Sequence, residues 1–349
     1  MALTHVRIVG SGLIGTSIGL ALVQKGVAVT MVDSDERAQK LARDLLKSGA
    51  DSEVEVTIIA TPIGAIKSAI QGELAASVKY GFIDIASVKD KVKVEVQSLG
   101  LSPDRFLPSH PMAGREVGGA ESARADLFQG RPWVIDSALS SPELKGAALE
   151  LISLLGAEAI EMESAEHDRA VALLSHLPQI ISSILASRLE VAPAHWLALS
   201  GSGLRDTVRI AGSDPALWRE ILTANAQAIA PLLREVVADC QSLLANLSDE
   251  AAVSEVIAAG QRGRNQIPGK HGGKARSYTQ LPIVIEDKPG QLAALFDECA
   301  RVSVNVEDLT IEHSPGQFTG LITLALSAED ARTLSKHLSD LGWSVHSSR

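Results

Sequence analysis

The chain has 349 residues, too many for one core, and 46% of them are hydrophobic, enough to fill two or three. Acidic residues outnumber basic ones 42 to 32, a formal charge of −10, which argues against a nucleic-acid or membrane-surface role. An anionic substrate would therefore have to be gripped by a few local arginines.

From the N-terminus, "VRIVG" (6–10) predicts a strand, followed by a helix to Lys25. "VAVTMVD" (27–33) and "VEVTIIAT" (54–61) predict two more strands, each followed by a helix. "GFIDIAS" (81–87) predicts a fourth, before the helical "VKDKVKVEVQSL". Near-continuous Val and Ile mark strands buried on both faces, so the region reads as an α/β, doubly wound parallel sheet with right-handed crossovers. "PWVID" (132–136) and "AEAIEM" (157–162) add two strands around a helix near 142–155. From Ser164 to residue 258 there is no convincing strand, and alanine- and leucine-rich segments at helical spacing predict a bundle of about five helices. Residues 259–277 are rich in glycine and Lys/Arg and hold no acid, as a solvated linker does. Beyond them the order strand, helix, strand, strand, helix, strand predicts a ferredoxin-like unit. The two cysteines, Cys240 and Cys299, lack zinc spacing and fit a reduced, cytoplasmic setting. No basic-plus-apolar leader opens the sequence, and no apolar run reaches the ~20 residues of a membrane span.

Gly10-Ser11-Gly12-Leu13-Ile14-Gly15 follows the first strand and opens a helix. Glycines at that spacing give a tight turn, a close approach to a pyrophosphate and helix–strand packing, and the helix N-terminus supplies amide donors. Asp33 ends the second strand, where a carboxylate accepts from ribose hydroxyls and repels a 2′-phosphate. With no arginine at 34 or 35, NAD is favoured over NADP. Thr61-Pro62 ends the third strand, either as a wall of the nicotinamide crevice or as a plain helix start with proline in its first turn.

His110 lies in "LPSHPMAG" (107–114), too broken for a helix and too polar for a core strand, so a loop is expected. Pro108 and Pro111 stiffen it at the carboxyl edge of the sheet, where ligands sit in open α/β folds. Removing a hydride from a carbinol carbon needs a base for the hydroxyl proton, and imidazole suits that task near neutral pH. Ser87 ends the fourth strand, where it could bond the imidazole or the substrate hydroxyl, or N-cap the next helix with Asp90 three residues on. "HDRAVALLSHLPQ" carries His167, Ser175, His176 and Gln179; Ser175 and Gln179 are one helical turn apart, and Pro178 predicts a kink there. In "GSGLRDTVRIAGSDPALW" (201–218), Asp206 and Arg209 are spaced as a surface pair, or Arg209 forks onto a substrate carboxylate buttressed by Asp206.

Taken together, GSGLIG, "ASVK" (86–89), "SHPMAG" (109–114), "SHLPQ" (175–179) and "RDTVRIAGSDPALW" (205–218) resemble the prephenate/arogenate dehydrogenase family of tyrosine biosynthesis, over residues 1–260. "EDKPGQLAALF" resembles the first strand–loop–helix of an ACT domain. The resemblance implies a Rossmann NAD-binding domain at 1–163 and a helical substrate and dimerisation domain at 164–258. The basic linker (259–277) and an ACT domain at 278–349 would complete a cytoplasmic homodimer. It implies that NAD takes a hydride from the substrate ring, that His110 accepts the 4-hydroxyl proton, and that carbon dioxide leaves as the ring aromatises, with no metal. Ser87 would orient His110 or the hydroxyl, Arg209 grip a carboxylate, and Glu116 gate or pair within the site. His167, Ser175 and Gln179 would lie near prephenate or arogenate; Gln179 stands where some members carry histidine. Pro289, Gly290 and Asn305 would border an effector site, with tyrosine the obvious effector. A β-hydroxyacid dehydrogenase is disfavoured because residues 164–258 hold no lysine to act as base. The other alternative, a catalytically idle sensor of NAD and amino acids, fits poorly with the intact His110, Ser87 and Arg209 set.

Overall fold

The computed structural model describes residues 3–49, 53–74, 78–115, 117–267, 278–313 and 318–347. They form two compact units, Met1–Ala238 and Asp239–Arg349. Packing thus divides the chain inside the helical region, not at the expected linker.

The first unit opens with β1 (His5–Val9), α1 (Leu13–Gln24), β2 (Ala28–Val32), α2 (Glu36–Leu46), β3 (Val54–Ile59), α3 (Ile66–Glu73), β4 (Val78–Asp84) and α4 (Asp90–Gln97). Then follow β5 (Phe106–Pro111), β6 (Pro132–Ile135), α5 (Pro142–Leu154) and β7 (Glu158–Glu161). The sheet order is β2-β1-β3-β4-β5-β6-β7. Strands β2 to β5 pair in parallel, but β5 and β6 run antiparallel, a departure from the all-parallel expectation. Strands alternate sides: Val6, Ile8, Val56 and Ile58 meet α1 and α5 on one face, while Val9, Ile59 and Phe82 meet Ile66, Ile70, Val92 and Val96 on the other. Burial on both faces is why these strands read as unbroken Val/Ile runs.

His110 is not on a loop. It is the penultimate residue of β5, opposite Val134 of β6. The neighbouring polar and proline groups are accommodated there: Ser109 donates its hydroxyl to the Asp84 carbonyl (2.7 Å) and accepts from Trp133 Nε1 (3.0 Å), while the Pro108 carbonyl accepts from the Asp136 amide (2.9 Å). Sequence polarity hid the strand because its partners lie far along the chain.

The remaining helices of this unit are α6 (Ser164–Val171), α7 (Leu177–Ser187), α8 (Ala194–Leu197), α9 (Ser202–Val208), α10 (Pro215–Ala224) and α11 (Ala226–Ala245), which runs on into the second unit. The expected kink appears as a π-helical turn, Ala172–His176, immediately before Leu177 and Pro178. Proline removes a ladder donor, and the wider turn absorbs the mismatch. Contrary to the expectation that no run would reach span length, helical Ser164–Val191 is long and apolar enough to cross a membrane by length and composition. Its buried His167, Asp168, His176, Gln179 and Ser182 nevertheless find hydrogen-bond partners inside the unit, as polar groups on a core helix do.

In the second unit, α12 (Glu250–Arg264) continues helix into the segment expected to be linker; residues 268–277 of that segment lie outside the described residues. Then come β8 (Thr279–Glu286), α13 (Gln291–Arg301), β9 (Asp308–His313), β10 (Thr319–Leu326), α14 (Ala328–Asp340) and β11 (Ser344–Val345). The antiparallel sheet runs β11-β8-β10-β9, and Leu281, Ile283, Ile322 and Leu324 pack against Leu295, Cys299, Leu334 and Leu338. Leu334 has no exposed surface. Leu334→Ala should cost about 2–5 kcal/mol, read as a lower denaturant midpoint for this unit.

Candidate active site

The carboxyl ends of β1, β2 and β3 open onto a cavity of about 600 Å³. Gly10 has φ +113°, and a Cβ there would run into the Ala60 carbonyl; one at Gly15 would run into Gly10. A Cβ at Gly12 would meet nothing within 4 Å, so that glycine faces open space over the start of α1. Leu13 and Ile14 begin that helix, whose N-terminus has no side-chain cap. The Ser11 and Thr61 hydroxyls are buried with no partner among the described residues, and both residues line the cavity. Uncapped amides and two orphaned hydroxyls around an open glycine fit a dinucleotide pyrophosphate. Asp33 lies beside them, accepting from the amides of Ser11 (2.5 Å) and Asp35 (2.9 Å).

On β5, His110 Nδ1 lies 2.9 Å from His167 Nε2, with the rings edge-to-face at 5.1 Å. His167 Nδ1 in turn lies 2.8 Å from Asp168 Oδ1. A carboxylate can only accept, so His167 carries its proton on Nδ1 and offers a lone pair at Nε2. His110 then donates from Nδ1, which leaves His110 Nε2 as a lone-pair acceptor. Burial, the His167 ring, the Lys89 ammonium and His176 together hold the His110 imidazole well below its ordinary pKa. The ring is therefore neutral at physiological pH, the state a general base requires.

Asp168 anchors this chain. Burial alone would raise its pKa, but His167 and the amides of Lys89 and Asp90, each 2.9 Å away, hold it low. Those amides open α4, so its cap comes from α6 rather than from Ser87, the alternative reading of that serine. Ser87 is half-buried between β4 and α4. Lys89 is fully enclosed, bonded to Asp84 and to the Ser109 carbonyl (2.5 Å), immediately before His110. Burial pushes Lys89 down and Asp84 up, against the pull of each on the other. His176 is buried; its Nδ1 accepts from Asn225 Nδ2 (3.1 Å), which also donates to the Asp168 carbonyl (2.8 Å), and its ring meets Trp218 edge-on at 6.1 Å. Asp168, Lys89, Asp84, His176 and Asn225 were not read from sequence as a network. The available signal was charge out of place: an aspartate ending an Ile-rich strand, and a lysine that the helix then buries.

Arg209 opens the 3₁₀ turn Arg209–Gly212 after α9, and its residue is exposed. Gln179 was expected at the substrate. It is buried, with Nε2 donating to the Ile210 carbonyl (2.9 Å), while Ser182 donates to the Thr207 carbonyl (2.8 Å). The two side chains hold the backbone around Arg209. Ser175, within the π turn, is half-buried. Glu116 lies outside the described residues. In the second unit, Gly290 (φ +89°) precedes α13 with exposed Pro289 before it. Asn305, expected at a strand start, precedes β9 and donates to Glu307 (2.9 Å).

Family models for the prephenate dehydrogenase nucleotide-binding domain and dimerization domain match residues 18–160 and 163–256. The chain belongs to the prephenate dehydrogenase family. It is 30% identical to the probable prephenate dehydrogenase NovF of Streptomyces niveus, over 97% of this chain and 99% of that one. The fold is similar to the crystal structure of prephenate dehydrogenase from A. aeolicus in complex with hydroxyphenyl propionate and NAD+ (TM-score 0.66, 21% identity, 76% of this chain and 98% of that one). It is also similar to that of Synechocystis arogenate dehydrogenase (TM-score 0.64, 24% identity, 75% and 99%). The protein's cofactor is NAD.

Burial lowers His176 to about 4. Its folded value lies below the unfolded imidazole value, so the unfolded chain binds more protons in between and stability falls with acidity. Urea midpoints should drop from pH 6.5 toward pH 4, and His176→Asn should flatten that slope.

Proposed function

We propose that the protein oxidatively decarboxylates prephenate to 4-hydroxyphenylpyruvate with NAD, in tyrosine biosynthesis. The observation that carries the reading is the Asp168–His167–His110 chain, which ends on a free His110 Nε2. Bound NAD supplies a hydride acceptor. His110 Nε2 takes the 4-hydroxyl proton as the hydride leaves C4, and returns it to the phenolate oxygen once the ring is aromatic. The electrons of the bond to the ring carboxylate fill the ring, and carbon dioxide departs. Asp168 and His167 hold the His110 tautomer and balance positive charge on it. Ser87 orients the hydroxyl, and Arg209, steadied by Gln179, pairs with a substrate carboxylate beside His167 and Ser175, with Glu116 assigned the gating or pairing role. Gly10, Gly12, Leu13, Ile14, Gly15, Asp33 and Thr61 seat the cofactor.

Arogenate is the second reading. Gln179 commits its amide to Ile210 and brings no cation to the place where some members carry histidine. The domains are read as 1–163, 164–258 and 278–349. The exposed Leu173, Leu174, Ile184, Val191 and Trp196 support a homodimer built on the helical region, which we read as cytoplasmic from the reduced setting that its two unpaired cysteines fit. The βαββαβ order and sheet sequence of the second unit support an ACT domain, with Pro289, Gly290 and Asn305 at a tyrosine site.

NADH formation with prephenate and arogenate side by side decides the substrate. His110→Asn should cut kcat by about 10²–10⁴ while NAD still binds, and Asp168→Asn should approach that loss by releasing the tautomer. Equal rates in both variants and wild type would remove the chain from the mechanism. Tyrosine should inhibit the full-length protein without competing with prephenate, and Asn305→Ala should relieve that inhibition; strictly competitive inhibition would move the effector to the active site.

A further inference from the structure

Three carboxylates, those of Asp33, Asp35 and Glu121, belong to residues lining the nucleotide cavity, and no lysine, arginine or histidine is among the described residues that line it. They are not equivalent. Asp33 is committed to the amides of Ser11 and Asp35, and Asp35 caps α2 through the amides of Arg37 (2.8 Å) and Ala38 (3.3 Å). No donor among the described residues reaches the Glu121 carboxylate.

Glu121 also comes from outside the β1–α1–β2 unit. It sits in the 3₁₀ turn Ala120–Ser122, within the connection that leaves β5 just after His110. That turn packs on α1 and α2. Two bonds fasten it: the Arg124 amide donates to Ser17 Oγ (3.0 Å), and Arg115 donates to the Ser122 carbonyl (2.9 Å). Gly119 has φ +88°, and a Cβ there would strike the Glu121 carboxylate. The missing side chain lets that carboxylate fold back over its own turn.

We propose that Glu121 determines cofactor specificity: it accepts a hydrogen bond from the adenosine end of NAD and, with Asp33, repels the 2′-phosphate of NADP. The inference rests on the nucleotide reading of this cavity. Adenosine offers donors, the ribose hydroxyls and the adenine amino group, and an uncommitted carboxylate is an acceptor for either. A 2′-phosphate offers only acceptors and negative charge, and here it would face two carboxylates with no cation to compensate.

Calorimetric titration with ADP-ribose and 2′-phospho-ADP-ribose tests this without substrate or turnover. The wild-type protein should bind the first and discriminate against the second. Glu121→Ala should weaken ADP-ribose several-fold. Glu121→Gln should improve the 2′-phosphorylated ligand by roughly 10-fold, and Glu121→Lys by more. Asp33→Asn alone should recover only part of what the Asp33→Asn/Glu121→Gln pair recovers. If all Glu121 variants bind both ligands like wild type, Glu121 has no part in specificity. If the wild-type protein fails to bind ADP-ribose, the nucleotide reading falls and this proposal with it.

Discussion

One carboxylate sets the geometry of the active centre. Asp168 lies on α6, yet its oxygens take the first two amides of α4 and the ring proton of His167. The sheet side of the fold, the helical region and the imidazole proposed as the base thus meet at a single side chain. Breaking it would uncap a helix, free a tautomer and leave a buried ring without its acceptor, so its structural and chemical roles cannot be separated by inspection of any one bond. Lys89 reinforces the same junction from below, through Asp84 and the carbonyl preceding His110.

The nucleotide crevice is linked to that junction through covalent connectivity. The chain leaves β5 at Pro111, crosses onto α1 and α2 at Ala120–Ser122, and returns as β6 beside β5. The strand that carries His110 and the turn that borders the glycine-lined cavity are two ends of one segment. Under the proposed reading, that segment and the sheet together would bring hydride acceptor and proton acceptor to one place.

The sequence was most legible where physics is local. Buried parallel strands, the glycine turn and the βαββαβ order of the second unit all emerged from runs and spacings of neighbouring residues. It was least legible where a residue answers to something distant. His110 looked like a loop residue because nothing nearby shows that Ser109 is satisfied by Asp84 and Trp133. Ser87 looked like a helix cap because the true cap lies some eighty positions downstream. The bond from Gln179 to the Ile210 carbonyl was invisible because that partner is a backbone atom with no sequence signature. The strand reversal between β5 and β6 has the same origin: strand direction is set by the connection, which composition does not encode.

The helical run Ser164–Val191 has a further consequence. Its inner side holds His167, Asp168, His176 and Gln179, while Leu173, Leu174, Ile184 and Leu185 are bare on its outer side. Leu173 and Leu174 belong to the same π turn, Ala172–His176, that carries the buried His176. Whatever covers those two leucines therefore bears directly on the turn that seats His176 against Asn225 and Trp218.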